Sequence, residues 1–179
     1  MIVVGKNVPT ASVTSVQGDE IAIRSGSGII HLQLRRFSGC PICNTHIRSY
    51  ARYVQTLVEL GVTPVVVFHS EADVIRENQA EAEWTKGMLF VADPERVIYK
   101  AFGADFSVWS IFSIRAITTA MTNIGKFSFK NRGIGAGVTQ RPMDILIKDG
   151  IVLDFKYGVD AFDQWSGEEV VALVKKYAV

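Results

Sequence analysis

The chain contains two cysteines, and both stand in the segment 39–43, Gly-Cys-Pro-Ile-Cys. Upstream, residues 30–35 alternate between apolar and polar side chains, which is the period of a β-strand. Downstream, apolar side chains recur at spacings of three and four up to Leu57, which is the period of one face of an α-helix. The proline suits the first helical position because its ring fixes φ. We therefore predict a junction between strand and helix, with Cys40 as the N-cap and Cys43 in the first turn.

The start of a helix is expected to make these sulfurs reactive. Unpaired backbone N–H groups and the positive end of the helix dipole both favour the thiolate, which is the reactive form of cysteine. A zinc site would need about four ligands, whereas the chain has no second cysteine pair and its three histidines are scattered singly. Two inert, buried cysteines are the other alternative, which a Gly-Cys-Pro helix start disfavours. We therefore predict a redox-active dithiol without a metal or an organic cofactor.

Length and composition limit the remaining possibilities. The chain of 179 residues, 48% hydrophobic and 21% charged, fits one globular domain over residues 1–179. Lysine plus arginine (19) balances aspartate plus glutamate (18), so the net charge predicts no binding to nucleic acid or to anionic membranes. The N-terminus lacks the pattern of a signal peptide, and we expect a cytoplasmic protein. Because that compartment keeps thiols reduced, a reversible or catalytic cysteine pair is favoured over a structural disulfide.

The better-patterned segments predict a sheet flanked by helices. Residues 2–23 predict an opening turn and a β-hairpin, and Val65–Phe68 predicts a strand buried on both faces. His69 follows that strand at the edge where open α/β sheets bind ligands, so it is a candidate site residue, with a local structural role as the alternative. Asp149-Gly150 predicts a tight hairpin turn, and Ser166–Glu169 is a capping box that begins the last helix.

Two other segments carry less definite patterns. Residues 71–84 predict a helix with an apolar inner face and an acidic, amide-rich outer face. Residues 104–137 predict a helical insertion and a glycine-rich loop, which lacks the context of a phosphate-binding loop. The apolar stretch 106–121 is too short to span a membrane and contains an arginine. It is a candidate cover for the sheet or homodimer contact, and docking to a membrane or another partner is the alternative.

Taken together, these residues resemble the thioredoxin fold in its peroxiredoxin-like branch over nearly the whole chain. The opening segment 4–9 with its hairpin is similar to the N-terminal extension of peroxiredoxins, and residues 90–94 are similar to their middle section. In the segment 141–150, Pro142 occupies the place of the thioredoxin cis-proline, and Arg141 that of the arginine that polarises peroxide. The resemblance implies an α/β protein with a central mixed β-sheet flanked by helices, an N-terminal β-hairpin and a helical insertion before the final hairpin.

The resemblance also implies roles for individual residues. In the peroxiredoxin motif Pro-x-x-x-Thr-x-x-Cys, the peroxidatic cysteine falls on Cys43, the threonine on Cys40 and the proline on Arg36. His46 shares the helical side of Cys43 and is expected to lower the thiol pKa as a cationic neighbour. The predicted catalytic residues are Cys43, Cys40 and Arg141, and the predicted substrate-binding residues are Pro142, Pro41 and His46.

Three functions are compatible with this predicted site. In the favoured one, the Cys43 thiolate attacks hydrogen peroxide or an organic hydroperoxide, Arg141 stabilises the leaving oxygen, and Cys40 then forms the disulfide. In the second, Cys40 attacks a protein disulfide and Cys43 resolves the mixed disulfide. In the third, the chain is a non-enzymatic adaptor whose cysteines have ordinary pKa values. Either oxidoreductase would use a thiol reductant such as a thioredoxin-like protein.

Overall fold

The computed structural model describes residues 2–24, 28–104 and 140–177, and its centre is a five-stranded mixed sheet. The strands are β1 Ser12–Thr14, β2 Glu20–Ala22, β3 Ile29–Leu34, β4 Val62–Phe68, β5 Leu89–Ala92, β6 Met143–Lys148 and β7 Ile151–Tyr157. The central sheet has the order β5-β4-β3-β6-β7, and β1 pairs with β2 as a separate hairpin. Strands β3, β4 and β5 are parallel, while β6 is antiparallel to both of its neighbours.

Helices provide the connections that parallel strands require. They are α1 Pro41–Ala51, α2 Val54–Glu59, α3 Ala72–Ile75, α4 Val97–Phe102 and α5 Gly167–Tyr177, with a π-helical turn at Arg76–Ala80 and a 3₁₀ turn at Glu83–Thr85. Helices α1 and α2 together connect β3 to β4, so the cysteine helix follows directly from the central strand of the sheet.

Each face of the sheet packs against its own apolar core. On one face, the N-terminal hairpin and α4 cover Leu32 and Leu34 of β3. On the other face, α1, α2 and α5 cover Val66 and Phe68. Both cysteines belong to this second core. All six residues of β3 are therefore buried, and its polar residues, which alternate with the leucines, lie on the cysteine side of the sheet.

Two predictions for the C-terminal part of the chain are confirmed, the hairpin turn at Asp149-Gly150 and the capping box at Ser166–Glu169. Asp149 and Gly150 have φ of 51° and 75°, the positive values that a two-residue hairpin turn of the primed type requires. The Ser166 N–H donates to the Glu169 carboxylate at 2.7 Å, and the Glu169 N–H donates to the Ser166 hydroxyl at 3.2 Å. This reciprocal pair is the predicted capping box at the start of α5.

The segment 71–84 is not the single helix that the sequence predicts. It consists of the short α3, the π-helical turn and the 3₁₀ turn. Gln79 belongs to the amide-rich set that we expected on the outer face, yet it is 1% exposed. It lies four residues after the buried Ile75 and so shares its side of the helix. Hydrogen bonds from its side-chain N–H groups offset the loss of hydration.

Some predictions fall beyond the described part of the chain. The helical insertion from residue 105 onward and the candidate homodimer contact at 106–121 lie outside the described residues. Both stay predictions, as does the extent of the single domain. Within the ranges 2–24, 28–104 and 140–177, no helix has the length and apolar character needed to cross a membrane.

Candidate active site

The two cysteines lie where the sequence predicts them. Cys40 is the N-cap of α1, with φ −69° and ψ 117°, and Pro41 is the first helical residue. Both cysteines are free thiols in the second core, with Cys40 2% exposed and Cys43 0% exposed. Both cysteines are therefore almost fully covered by protein, which disfavours direct contact with a macromolecular partner in this conformation.

The two sulfurs differ in acidity because they share one hydrogen bond. The Cys43 thiol donates to the Cys40 sulfur, and this hydrogen bond is the main reason that the pKa of Cys40 falls to about 6 despite burial. The charge of Arg36 and the backbone N–H groups of Cys43 and Ile42 act in the same direction. The pKa of Cys43 is raised well above its ordinary value, since it donates that hydrogen bond, is buried and faces a negative neighbour. The pair therefore favours the negative charge on Cys40 and the proton on Cys43.

Arg36 is the cation that acts on both sulfurs. It is 5% exposed, and its positive charge favours the thiolate form of Cys40 and of Cys43. Its position is that of the proline in the peroxiredoxin motif. A buried guanidinium near a sulfur can also stabilise an oxyanion that forms there.

Arg141 and Pro142 are the two site residues predicted from the segment before the final hairpin. Their described contacts are with β7 and the turn after it. The Arg141 guanidinium packs over the ring of Tyr157, 4.1 Å from its centroid, and Nε donates to the Gly158 carbonyl at 2.6 Å. Pro142 is buried, and its carbonyl accepts the Gly158 N–H at 2.9 Å. The peptide bond before Pro142 is trans, unlike the bond at the corresponding place in thioredoxins. The predicted roles of Arg141 and Pro142 are not established by these contacts.

His46 does not supply the positive charge that we expected. Burial, followed by the charge of Arg35, lowers the pKa of His46 to about 3, so the ring is neutral at physiological pH. Its Nε2 is buried and has no hydrogen-bond partner among the described residues. His46 follows Cys43 by one helical turn and stays a prediction as a substrate-binding residue, as a neutral group rather than a cation.

His69 lies at the end of β4, at the sheet edge where the sequence places it. Its backbone N–H donates to the carbonyl of Arg36 at 3.3 Å. Its ring stands between those of Phe37 and Tyr99, with centroid separations of 6.3 and 6.0 Å. His69 therefore packs beside Phe37 and is hydrogen-bonded to Arg36, both of which precede Cys40 in the chain.

The turn before Cys40 is held by polar side chains from the β4–β5 connection. The Ser38 N–H donates to the Ser70 hydroxyl at 2.9 Å, and Asn78 Nδ2 lies 3.2 Å from Ser38 Oγ. The Ser38 carbonyl accepts from Gln79 Nε2 at 3.0 Å. The backbone N–H, the carbonyl and the hydroxyl of Ser38 thus each have a hydrogen-bond partner, two residues before Cys40.

A buried ionic cluster below α1 was not predicted from the sequence. Both oxygens of Asp144 accept hydrogen bonds from the Arg35 guanidinium, at 2.6 and 3.1 Å. His31 Nε2 lies 3.0 Å from Asp144 Oδ1, and its Nδ1 lies 2.8 Å from the hydroxyl of Tyr50 on α1. All four side chains are 0% exposed. The cluster therefore connects the cysteine helix to β3 and β6.

The protonation states in this cluster follow from its charges. Although burial opposes ionisation, the charge of Arg35 and the hydrogen bond from His31 hold the pKa of Asp144 well below its usual range. Burial lowers the pKa of His31, so its ring is neutral, with Nε2 donating to Asp144 and Nδ1 accepting from Tyr50. One cation and one anion remain, and the cluster has no net charge. A sequence signal existed, since His31 and Gln33 of β3 and Arg35 directly after it alternate with leucines, and Asp144 is the second residue of β6.

Replacing Cys43 with alanine is expected to raise the pKa of Cys40 from about 6 towards that of an ordinary thiol. The alanine variant loses the hydrogen bond that contributes most to the low value. Cys43→Ser is the matched control, because a serine hydroxyl can still donate to the thiolate, and its pKa should stay closer to the wild-type value. Ultraviolet absorbance of the thiolate against pH measures both variants. Equal pKa values in the two would show that this hydrogen bond is not the cause.

Comparisons with known proteins support the fold but not a sequence family. No family model matches the chain, and neither does any of the curated proteins compared with it. Reduced Prx3 from Vibrio vulnificus in complex with H₂O₂ is 17% identical, with a TM-score of 0.68 over 97% of this chain and 99% of that one. Peroxiredoxin Q from Xanthomonas campestris is 14% identical, with a TM-score of 0.66 over 94% and 91%. A peroxiredoxin-like protein from Aquifex aeolicus is 14% identical, with a TM-score of 0.67 over 99% and 88%.

The chain thus has a thioredoxin-like fold. Within that class, the architecture is the one found in peroxiredoxins, and the resemblance predicted from the sequence is confirmed at the level of the fold. Because a fold can host unrelated activities, the chemistry has to be argued from the cysteines and their surroundings.

Proposed function

We propose that this protein is a thiol-dependent peroxidase that reduces hydrogen peroxide or organic hydroperoxides through Cys40 and Cys43. The observation that carries the proposal is a low-pKa thiolate at the N-cap of α1 whose hydrogen-bond donor is a second thiol. Such a pair provides a nucleophile and a resolving group in direct contact. The structural likeness to a peroxiredoxin solved with H₂O₂ supports the same chemistry.

The reaction begins with attack of the Cys40 thiolate on a peroxide oxygen. A sulfur–oxygen bond forms as the oxygen–oxygen bond breaks, which leaves a sulfenic acid on Cys40 and releases water or an alcohol after protonation of the leaving oxygen. Arg36 stabilises the negative charge that develops on that oxygen. Cys43 then loses its proton and attacks the Cys40 sulfur, hydroxide leaves as water, and the two residues form a disulfide.

This order of attack is the reverse of the one favoured from the sequence. The peroxiredoxin motif places the peroxidatic cysteine on Cys43, but the pKa of Cys43 is raised and that of Cys40 is lowered. The attacking group must be the thiolate. We therefore assign the first step to Cys40 and the resolving step to Cys43, with Arg36 in the role that the resemblance implies for Arg141.

Burial favours a peroxide over a protein disulfide as the oxidant. Cys40 is 2% exposed, which disfavours attack on a disulfide of a folded partner, whereas hydrogen peroxide is hardly larger than water. A non-enzymatic adaptor would be expected to have cysteines with ordinary pKa values, and the lowered pKa of Cys40 does not fit that alternative. Thiol–disulfide exchange is retained for the last step, in which a reductant such as a thioredoxin-like protein restores the dithiol once the start of α1 has opened. A reducing compartment such as the cytoplasm suits this cycle.

The test compares the oxidants on the reduced wild-type protein. Hydrogen peroxide, an organic hydroperoxide and a small synthetic disulfide are each mixed with it, and second-order rates of dithiol loss are measured. We expect the peroxides to react faster, with one disulfide formed per peroxide consumed and a mass change corresponding to the loss of two hydrogens. The variant with both cysteines replaced by serine is the blank. Faster dithiol loss with the synthetic disulfide, or peroxide consumption equal to the blank, would overturn the proposal.

A further inference from the structure

The side chain of Gln79 connects the chain before Cys40 to the chain after it. Its Nε2 donates to the carbonyl of Ser38 at 3.0 Å and to Oδ1 of Asn44 at 2.6 Å. Ser38 stands two residues before Cys40, and the Asn44 N–H donates to the carbonyl of Cys40 at 3.0 Å. A single amide group therefore bridges the two sides of the N-cap.

The orientation of this amide follows from its partners. A backbone carbonyl can only accept, so the group that faces Ser38 must be the NH₂ of Gln79, and Asn44 must present its oxygen to the same NH₂. The Gln79 Oε1 is then buried without a hydrogen-bond partner among the described residues, which is unfavourable. A leucine would avoid that unpaired acceptor, so the two donated hydrogen bonds are the feature that distinguishes glutamine at this position.

An unusual backbone segment presents Gln79 to the site. The π-helical turn Arg76–Ala80 contains it, and π-helical turns are uncommon and concentrated at functional sites. The hydroxyl of Thr85 lies 3.0 Å from the Gln79 carbonyl and 2.5 Å from the Ala82 carbonyl, so its one hydrogen is shared between the turn and the residues that follow it. The turn and the amide have separate contacts, which allows each to be perturbed alone.

We propose that Gln79 is a positioning residue, whose carboxamide fixes the backbone on both sides of Cys40 and so holds the Cys40 sulfur over the start of α1. The groups that favour the thiolate are the Cys43 thiol, the charge of Arg36 and the first N–H groups of α1. They act only on a sulfur placed over the helix start. This inference deepens the proposed function, because the thiolate that Gln79 positions is the group that attacks the peroxide.

Replacing Gln79 with leucine is expected to shift the Cys40 titration upward from its wild-type midpoint of about 6. A shift of about one pKa unit would reduce the thiolate fraction about tenfold below the midpoint. The measurement is ultraviolet thiolate absorbance against pH, which needs no reagent to enter the site. Thr85→Val is the matched control: it removes the support for the same turn and should lower the melting temperature while leaving the Cys40 midpoint unchanged.

A second variant keeps the proposal testable if the leucine variant does not fold. Asn44 is half-buried and accepts the shorter hydrogen bond, so Asn44→Ala should fold and should shift the midpoint in the same direction. Where both fold, the double variant should shift no further than the larger single shift, because the two residues act through one contact. A folded Gln79→Leu or Asn44→Ala protein with an unchanged Cys40 midpoint would overturn the proposal.

These measurements use no peroxide, so the two proposals can fail separately. If the wild-type protein does not reduce peroxides but Gln79→Leu still shifts the titration, the proposed function fails and the positioning role stands. If peroxides are reduced and the titration does not move, the positioning role fails alone.

Discussion

Substitution of Cys40 by serine is expected to abolish peroxide consumption, whereas Cys43→Ser should retain the first step. The reason is that Cys40 holds the thiolate, while the pKa of Cys43 is raised well above its ordinary value. Loss of the nucleophile in enzymes that react covalently costs several orders of magnitude in rate. In single-turnover experiments, Cys43→Ser should consume one equivalent of peroxide and stop, because no second thiol remains to form the disulfide.

The product in each variant identifies the attacking sulfur. A reagent specific for sulfenic acid, followed by peptide mass analysis, should label Cys40 in the Cys43→Ser variant and should label nothing in Cys40→Ser. The serine at position 43 keeps a hydroxyl donor beside the thiolate, so the first step is disturbed as little as possible. Labelling of Cys43 in Cys40→Ser, at a rate near that of the wild type, would restore the order of attack favoured from the sequence motif.

The location of the dithiol could be predicted from the sequence because it depends on local patterns. The alternation typical of a strand ends before Gly39, and the spacing typical of a helix starts at Pro41. These two local patterns predict a junction between strand and helix without any knowledge of the rest of the fold. The N-cap position of Cys40 is a consequence of those patterns, and the structure confirms it. The hairpin turn at Asp149-Gly150 was predictable for the same reason, since its residue types require positive φ.

The relative acidity of the two thiols could not be predicted in this way. It depends on which sulfur donates to the other and on which guanidinium lies nearby, and both are distances in the folded protein. The resemblance favoured Arg141, whose described contacts are with Tyr157 and Gly158, and it placed Arg36 where the peroxiredoxin motif has a proline. Spacing along the chain identifies candidates, whereas tertiary packing selects among them.

Burial of the polar face of β3 is a second feature that the alternation of residues along the strand does not predict. Alternation of His31, Gln33 and Arg35 with apolar residues is typical of a strand with one solvated face. In the structure that face is buried, because α1, α2 and α5 pack over it. The pairing of β6 with β3 sets Asp144 opposite Gln33 on the neighbouring strand. Burial of Arg35 is tolerated because Asp144, from a distant segment of the chain, supplies the opposite charge. The alternation of residues within one strand does not show that such a partner exists.

Replacing Asp144 with asparagine is expected to destabilise the reduced protein by about 3–5 kcal/mol, the range observed when one partner of a buried ion pair is removed. The variant leaves the Arg35 guanidinium buried without a counter-charge and removes the acceptor that orients His31. Asp73→Asn is the matched control, since Asp73 and its partner Arg76 are 94% and 45% exposed. An exposed pair of this kind contributes at most about 1 kcal/mol. Urea unfolding of the reduced proteins measures both changes.

The pH dependence of the same variant has a definite sign. The pKa of Asp144 is depressed in the folded state, so its contribution is fully present above the unfolded-state value of about 4 and is lost as pH falls below it. The difference in unfolding free energy between wild type and Asp144→Asn should therefore be constant near neutral pH and should shrink under acid. Replacing Arg35 and Asp144 together with apolar residues should cost less than Asp144→Asn alone, because no unpaired charge remains. A loss below about 1 kcal/mol in Asp144→Asn would show that the cluster does not tie α1 to the sheet.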